Sequence, residues 1–180
     1  SWGRPLPGEG RAAFWQTLSA PEREALAETP VIARIHRAHA VSLQGLNNRS
    51  RDTVLAIQPV LEKSRLSARL LDAPFQASEA PAESEENDPL ACSWLVHNAG
   101  GVDRSGHRLA TLGLALINQG LEVDPIHAGT NLVAQAGDLG QARSVGLLAM
   151  AVARAAATGK AALAAEYQGD DHLALYFAVA

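Results

Sequence analysis

The chain has 180 residues, of which 47% are apolar and 19% charged, the composition of an ordinary globular domain. Its net charge of −4 argues against a nucleic-acid-binding or anionic-membrane-binding protein, and no apolar run approaches the roughly 20 residues of a membrane helix. The single cysteine, Cys92, excludes an internal disulfide and a cysteine-rich zinc site. We therefore expect a soluble, cytoplasmic, single-domain protein with no cofactor of its own, and the alanine-rich composition suggests a bacterial source.

Three helices are predicted for the amino-terminal part of the chain. A short apolar stripe within residues 14–18 predicts the first, and the capping-box spacing of Ser19 and Glu22 predicts a second that runs to about Glu28. The third is amphipathic and is predicted from apolar positions that step by three or four residues, namely Ile32, Ile35, His39, Leu43 and Leu46.

Residues 53–57 fit either a buried strand or the first turns of a helix. Pro59 would interrupt a helix that continued through it, whereas it could begin a new one. We therefore favour a strand at 53–57 that is followed by a helix over residues 60–71.

An acidic, proline-bearing stretch at about 77–89 contains almost no large apolar side chains, which predicts an exposed, mobile loop. Charge differs on its two sides. Residues 1–72 hold ten basic and seven acidic side chains, a balance of +3, whereas residues 73–180 hold five and twelve, a balance of −7. The loop is thus expected to divide a helical first half from a mixed second half of one domain, residues 1–180.

The second half mixes apolar runs with helical patterns. Residues 91–96 have the length of a buried strand, and a helix is predicted from about Gly106 to Gln119. A long alanine-rich helix is predicted over residues 131–158, with Gly137 or Gly140 as the place of a kink.

The last apolar run, residues 172–179, predicts a terminal strand. The predicted fold class is therefore α+β and predominantly helical, with helices packed on a small sheet that includes residues 91–96 and 172–179. Residues 112–152 have the pattern of a helical-repeat hairpin, but repeat folds need about three copies and the chain has one, so no family resemblance follows.

The segment from His97 to His107 is the most site-like part of the sequence. A predicted strand leads into a glycine pair and a helix start, where backbone N–H groups attract anions. The same residues also suit an ordinary strand-to-helix connection, and the G-x-G-x-x-G and P-loop patterns are absent. The candidate ligand-binding residues are His97, Asn98, Gly100, Gly101, Asp103, Arg104, Ser105 and His107.

Cys92 is the candidate nucleophile, with His172 as its base and Asp171 as the orienting group. Its apolar neighbours favour the alternative of a packed, unreactive thiol. His36 and His39 form an H-x-x-H pair, but no third ligand accompanies them, so no metal site is predicted.

These patterns favour a helical interaction or adaptor module that binds a protein partner or a second copy of itself, with no nucleic acid and no membrane insertion. The expected surface is the small-residue face at Gly146, Ala149 and Ala153, or the basic first half with Arg34 and Arg37. Whether the chain is an enzyme stays open, because two alternatives remain. One is a small hydrolase or transferase that uses Cys92, His97, Asp103, His107 and His172; the other is a small-anion binder at Gly100-Gly101. The chain starts at Ser1 and its only methionine is Met150, so we also expect a processed, tagged or excised chain.

Overall fold

The computed structural model describes residues 19–28, 30–46, 51–70, 92–100 and 102–180. Contacts divide the chain into two compact units, residues 1–32 and 33–180. The predicted helix at 14–18 and the predicted acidic loop at 77–89 lie outside the described residues.

In the first unit, helix α1 comprises Ala20–Glu28 and begins as the capping box predicts. The Glu22 carboxylate accepts hydrogen bonds from the backbone N–H and the hydroxyl of Ser19, both at 2.7 Å. These two bonds lower the pKa of Glu22.

In the second unit, the described residues form a six-stranded mixed sheet in the order β1-β6-β5-β3-β4, with β2 also paired to β6. Strand β3 is parallel to β4 and β5, whereas β6 is antiparallel to β5, β1 and β2. The strands are β1 (Arg34–Ile35), β2 (His39–Ser42), β3 (Cys92–His97), β4 (Gly129–Asn131), β5 (Ala161–Gln168) and β6 (His172–Val179).

Helices cover both faces of this sheet. They are α2 (Arg51–Ser67), α3 (Val102–Asn118), the short α4 (Leu132–Ala136), a 3₁₀ turn (Gly140–Ala142) and α5 (Arg143–Thr158). Helices α2 and α3 pack on one face, where Leu61 and Leu112 meet Leu163 and Phe177 in one apolar core. Helix α5 packs on the other face against the alanines of β5 in a second core. No described helix is both long and apolar enough to cross a membrane.

The predicted fold class, α+β and predominantly helical on a small sheet, is wrong in its second part. Strands do lie at Cys92–His97 and His172–Val179, but the sheet has six strands and forms the central layer of an α+β fold. Its longest unpredicted strand is β5, which is buried from Ala161 to Tyr167.

The predicted amphipathic helix over residues 32–46 is also wrong, since these residues contribute β1 and β2. The edge of β6 supplies backbone partners, and His39–Ser42 pair with residues 172–175. The apolar stripe is not a buried helix face, because Ile32 and Ile35 are exposed whereas Leu43 is buried.

Residues 53–57 are helical, so the favoured strand at this place is wrong. Helix α2 runs unbroken through Pro59. Proline removes the hydrogen bond to the carbonyl four residues earlier, that of Leu55, and both residues lie on the exposed side of α2, where water reaches the backbone.

The predicted single helix over residues 131–158 is divided in two. Gly137 and Gly140 have φ angles of +76° and +53°, left-handed values that end α4 and lead into the turn before α5. Asp138 lies between them, and its carboxylate accepts the Gly140 N–H at 3.0 Å. Both glycines named as places of a kink therefore change the direction of the chain.

Candidate functional site

The carboxyl ends of the parallel strands form a topological switch point. The connection from β3 to β4 passes through α3 on one face, whereas the connection from β4 to β5 passes through α5 on the other. In open sheets, the crevice between two such diverging connections is the usual place for ligands. Both helices begin at this edge, so their positive dipole ends point toward it.

A cleft of about 300 Å³ opens at this switch point. We call it the polar cleft. Its charged and polar lining comes from the end of β3, from α3, from α5 and the turn before it, and from the end of β5 and the turn that follows. It includes Asn98, Gly100, Arg108, Asp138, Arg143, Tyr167 and Asp170.

Two arginines enter the polar cleft from opposite helices. Arg108 of α3 is 15% exposed, forms an ion pair with Asp170 and lies over the Tyr167 ring at 5.5 Å. Arg143 begins α5, and its Nη2 is 2.8 Å from the Asp138 carboxylate. Both aspartates are largely exposed, at 84% and 70% of their side chains, so each arginine is held by a carboxylate that water also reaches.

Asparagines fix the backbone at the floor of the cleft. Asn98 donates to the Tyr167 carbonyl at 2.9 Å and accepts the Tyr167 N–H at 2.6 Å, which extends the pairing of β3 with β5 beyond the strand end. Asn131 accepts two N–H groups at the start of α4 and donates to the Gly100 carbonyl at 2.6 Å. Asn98 lines the cleft, but both of its side-chain hydrogen bonds go to the backbone of β5.

His97 is buried at the end of β3 and faces the core. Its Nδ1 accepts the Ala99 N–H at 3.3 Å, and its other nitrogen is left to donate to the Pro125 carbonyl. Burial lowers the pKa of His97 to about 4, so the ring is neutral at pH 7. It acts as a link between β3 and the loop before β4.

The other predicted ligand-binding residues are spread along α3 and its approach. Gly100 lines the polar cleft, whereas Gly101 lies outside the described residues. Asp103, Arg104 and Ser105 belong to the first turn of α3, and their side chains also lie outside the described part. His107 is half-buried, and its carbonyl accepts the Thr111 hydroxyl at 2.7 Å.

Sequence reasoning missed Arg108, Asp138, Arg143, Tyr167 and Asp170, which supply most of the charge and one wall of the polar cleft. Arg108 comes directly after His107, the last residue of the predicted site segment, so a prediction that extended the segment by one residue would have included it. The ion pair of Asp138 with Arg143 could not be predicted, because it depends on the turn that divides the predicted helix over residues 131–158.

The structure does not bring Cys92 and His172 together. Cys92 begins β3 and pairs with Ala161 at the start of β5, whereas His172 pairs with Gln168 at the far end of β5. Residues 161 and 168 are seven steps apart along β5, which is about 23 Å of strand, so the thiol and the imidazole lie near opposite ends of β5. Asp171, beside His172, shares that distant end, and the candidate catalytic trio has no common site here.

Cys92 is 8% exposed, and burial raises the pKa of its thiol to about 11. At pH 7.5 almost none of the thiol is ionised, so we expect iodoacetamide to label the native protein very slowly. Labelling should become complete within minutes in denaturant. Rapid labelling of native protein, lost in His172→Ala, would instead show a reactive pair and contradict this arrangement.

A second surface lies on the outer side of α3, away from the sheet. An apolar groove of about 700 Å³ runs between α3 and the loop over residues 121–126, and we call it the α3 groove. Leu109, Gly113, Val123 and Pro125 form its buried floor. Its walls are exposed apolar side chains, with Leu114 at 54%, Ile117 at 65% and Ile126 at 38% exposure.

The wall opposite α3 is fixed by local hydrogen bonds and by close backbone contacts. The Asp124 carboxylate accepts the N–H of Ile126 at 2.7 Å and contacts the His127 ring at 2.6 Å. A Cβ at Gly129 would collide with the Pro125 carbonyl oxygen, so only glycine fits at this position. At Gly113, a Cβ would lie 3.3 Å from the Pro125 ring, so this glycine lets the loop approach the helix. The groove is therefore preformed.

Comparison with known proteins adds no assignment. No protein family, curated protein or solved structure matches the chain. Within the described ranges, no three histidine, cysteine, aspartate or glutamate side chains converge as metal ligands. The α3 groove and the polar cleft are therefore the two features of the described chain that point to a function.

Proposed function

We propose that this chain is a protein-interaction module that binds an amphipathic helix of a partner protein in the α3 groove. The observation that carries the proposal is the exposure of Leu114 and Ile117 beside an apolar floor. Contiguous exposed apolar surface with a polar rim marks interaction sites in soluble proteins. Because the groove is preformed, a partner would lose little binding energy to rearrangement.

The dimensions favour a helix as the occupant. From Leu109 to Ile117 the groove follows α3 for about 12 Å, which is about two turns of a partner helix. Two turns present apolar side chains at i, i+3 or i+4, and i+7, the spacing used in helix-in-groove recognition. A partner that instead added a β-strand to the sheet is disfavoured, since the neighbouring edge strand β4 offers only three residues for pairing.

Charge at the rim favours a basic partner. Glu122 and Asp124 are exposed along the loop side of the groove, and the last turn of α3 carries no basic residue. The carbonyl end of α3 adds negative potential there, although Arg65 donates to the Gln119 carbonyl at 2.7 Å and offsets part of it. Lysines or arginines that flank the apolar stripe would complement this rim.

The previously expected partner surface is less open than the α3 groove. A Cβ at Gly146 would lie 3.0 Å from Leu139 and 3.2 Å from Leu132, so this small residue accommodates packing within the chain. Ala149 and Ala153 are exposed and remain a second candidate surface. Cys92 and His172 lie near opposite ends of β5, which argues against the hydrolase or transferase alternative.

Two synthetic peptides test the proposal. Both are amphipathic helices of about 18 residues with the same leucine stripe, and they differ only in lysines or glutamates at the polar positions. In fluorescence anisotropy we expect the lysine peptide to bind at least about tenfold more tightly than the glutamate peptide. Ile117→Gln should weaken binding by at least about tenfold, since truncating a central apolar contact is costly.

Leu55→Gln is the matched control. Leu55 is 49% exposed on α2 and does not line the groove, so this variant should bind the lysine peptide as the parent does. The proposal fails if neither peptide binds or if Ile117→Gln binds as tightly as Leu55→Gln. Sedimentation that shows self-association abolished by Ile117→Gln would also overturn it, because a second copy would then be the occupant.

A further inference from the structure

We propose that the polar cleft binds a small anion that carries a carboxylate or phosphate group, held between Arg108 and Arg143. This inference is independent of the α3 groove, which lies on another part of α3. It rests on where the cleft lies, on which charges are buried in it and on what those charges contact.

The position of the cleft is that of a ligand site. It opens beyond the carboxyl ends of β3 and β5, between the helix that follows β3 on one face of the sheet and the helix that follows β4 on the other. The amino ends of two long helices, α3 and α5, meet there, and each contributes positive potential.

The arginines are the more buried charges of the cleft. Arg108 and Arg143 have 15% and 31% of their side chains exposed, whereas Asp170 and Asp138 have 84% and 70% exposed. The Nε of Arg143 is buried and has no hydrogen-bond partner within the described residues, so part of its donor capacity is unused. The cleft therefore presents cationic donors, while the carboxylates face solvent.

Each arginine of the cleft is paired with an aspartate. Asp170 lies in the turn between β5 and β6, and exposed ion pairs of this kind stabilise a fold little. An anion in the cleft would replace Asp170 on Arg108 and add contacts from Arg143, and the aspartate would turn toward water. Bidentate geometry makes arginine well suited to both carboxylates and phosphates.

The volume limits the ligand to a small one. A cleft of about 300 Å³ is at the lower end of small-molecule sites, which suits a dicarboxylate or a simple phosphate ester and is too small for a dinucleotide. This agrees with the absence of a G-x-G-x-x-G pattern after β3.

Titration with two probes, inorganic phosphate and succinate, at constant ionic strength tests the proposal. Amide chemical shifts of the full chain should change saturably around the cleft with at least one probe. Arg108→Gln and Arg143→Gln should each weaken binding by at least about tenfold. Arg154→Gln is the matched control, because Arg154 lies near the other end of α5, over the Trp94 ring at 5.8 Å, and this variant should bind as the parent does.

Asp170→Asn provides a gain-of-binding arm that loss of folding cannot imitate. It removes the competing carboxylate, so the affinity for the anion should rise by at least about threefold. A response to phosphate alone assigns a phosphate-bearing ligand, and a response to succinate alone assigns a carboxylate. The proposal is overturned if neither probe binds, if both arginine variants bind like Arg154→Gln, or if Asp170→Asn weakens binding.

Discussion

Between pH 6.5 and pH 4 the folded chain should lose about 3 kcal/mol of unfolding free energy through His97 alone. Burial lowers the pKa of this residue from 6.5 to about 4. In that pH range the unfolded chain binds a proton at this position and the folded chain does not. Stability therefore falls as the pH falls, and the His97 contribution levels off below about pH 4.

Urea unfolding at a series of pH values measures this loss, and His97→Gln is the informative variant. Glutamine keeps a donor for the Pro125 carbonyl but does not titrate, so the variant should be less stable at pH 7 and should lose about 3 kcal/mol less than the parent between pH 6.5 and pH 4. His39 provides a control for the background. Burial, Arg37 and Lys63 lower its pKa as well, so His39→Gln should remove a smaller part of the same slope. An unchanged slope in His97→Gln would contradict the buried, neutral ring.

Replacing Ala164 by leucine should destabilise the chain by about 1–3 kcal/mol. Ala164 is fully buried at the centre of β5, between Val96 and Tyr176 in the sheet and beneath α5. The facing residues Ala151 and Ala155 are also fully buried, so the helix lies close to the strand and leaves no room for three more carbon atoms.

Ala156→Leu makes the same chemical change on the exposed side of α5 and should alter stability by less than about 0.5 kcal/mol. Chemical denaturation of the two variants measures the difference. Equal stabilities would mean that residues 161–168 are not buried against α5, which would contradict the three-layer arrangement.

Strand β5 shows why composition misled the fold prediction. Half of its residues, four of the eight in Ala161–Gln168, are alanine, which has the highest intrinsic helix propensity, and no alternation of apolar and polar positions marks the buried part as a strand. A strand buried on both faces has no such alternation, and small side chains are what a closely packed helix on one face requires. Tertiary packing, which is not visible in a local window, decides this element.

Other elements depend on local chemistry and could be predicted. The start of α1 follows from the side chains of Ser19 and Glu22, which bond within one turn. The apparent helix at 32–46 fails for the opposite reason, because β1 and β2 exist through pairing with β6, more than a hundred residues away in sequence. A spacing of three and four can arise by chance in a strand that is only partly buried.

The candidate site, too, was predictable only in the part that depends on local sequence. The glycine loop after β3 was predicted to approach a ligand, and Gly100 does line the polar cleft. Its polar neighbours His97 and Asn98, however, make hydrogen bonds within the sheet and to the loop before β4. The charges come from α3, from α5 and the turn before it, and from the β5–β6 turn. Only the strand order brings those distant segments to one edge.

Mapping the lysine peptide onto the chain by amide chemical shifts tests the proposed interaction module most directly. We expect saturable shifts concentrated on residues 109–126, with the largest changes at Leu114, Ile117 and Ile126, and none of comparable size on the exposed face of α5. We also expect Ile117→Gln to remove these shifts and Leu55→Gln to keep them. Shifts centred on Ala149 and Ala153, or no saturable shifts at all, would contradict the proposed interaction module.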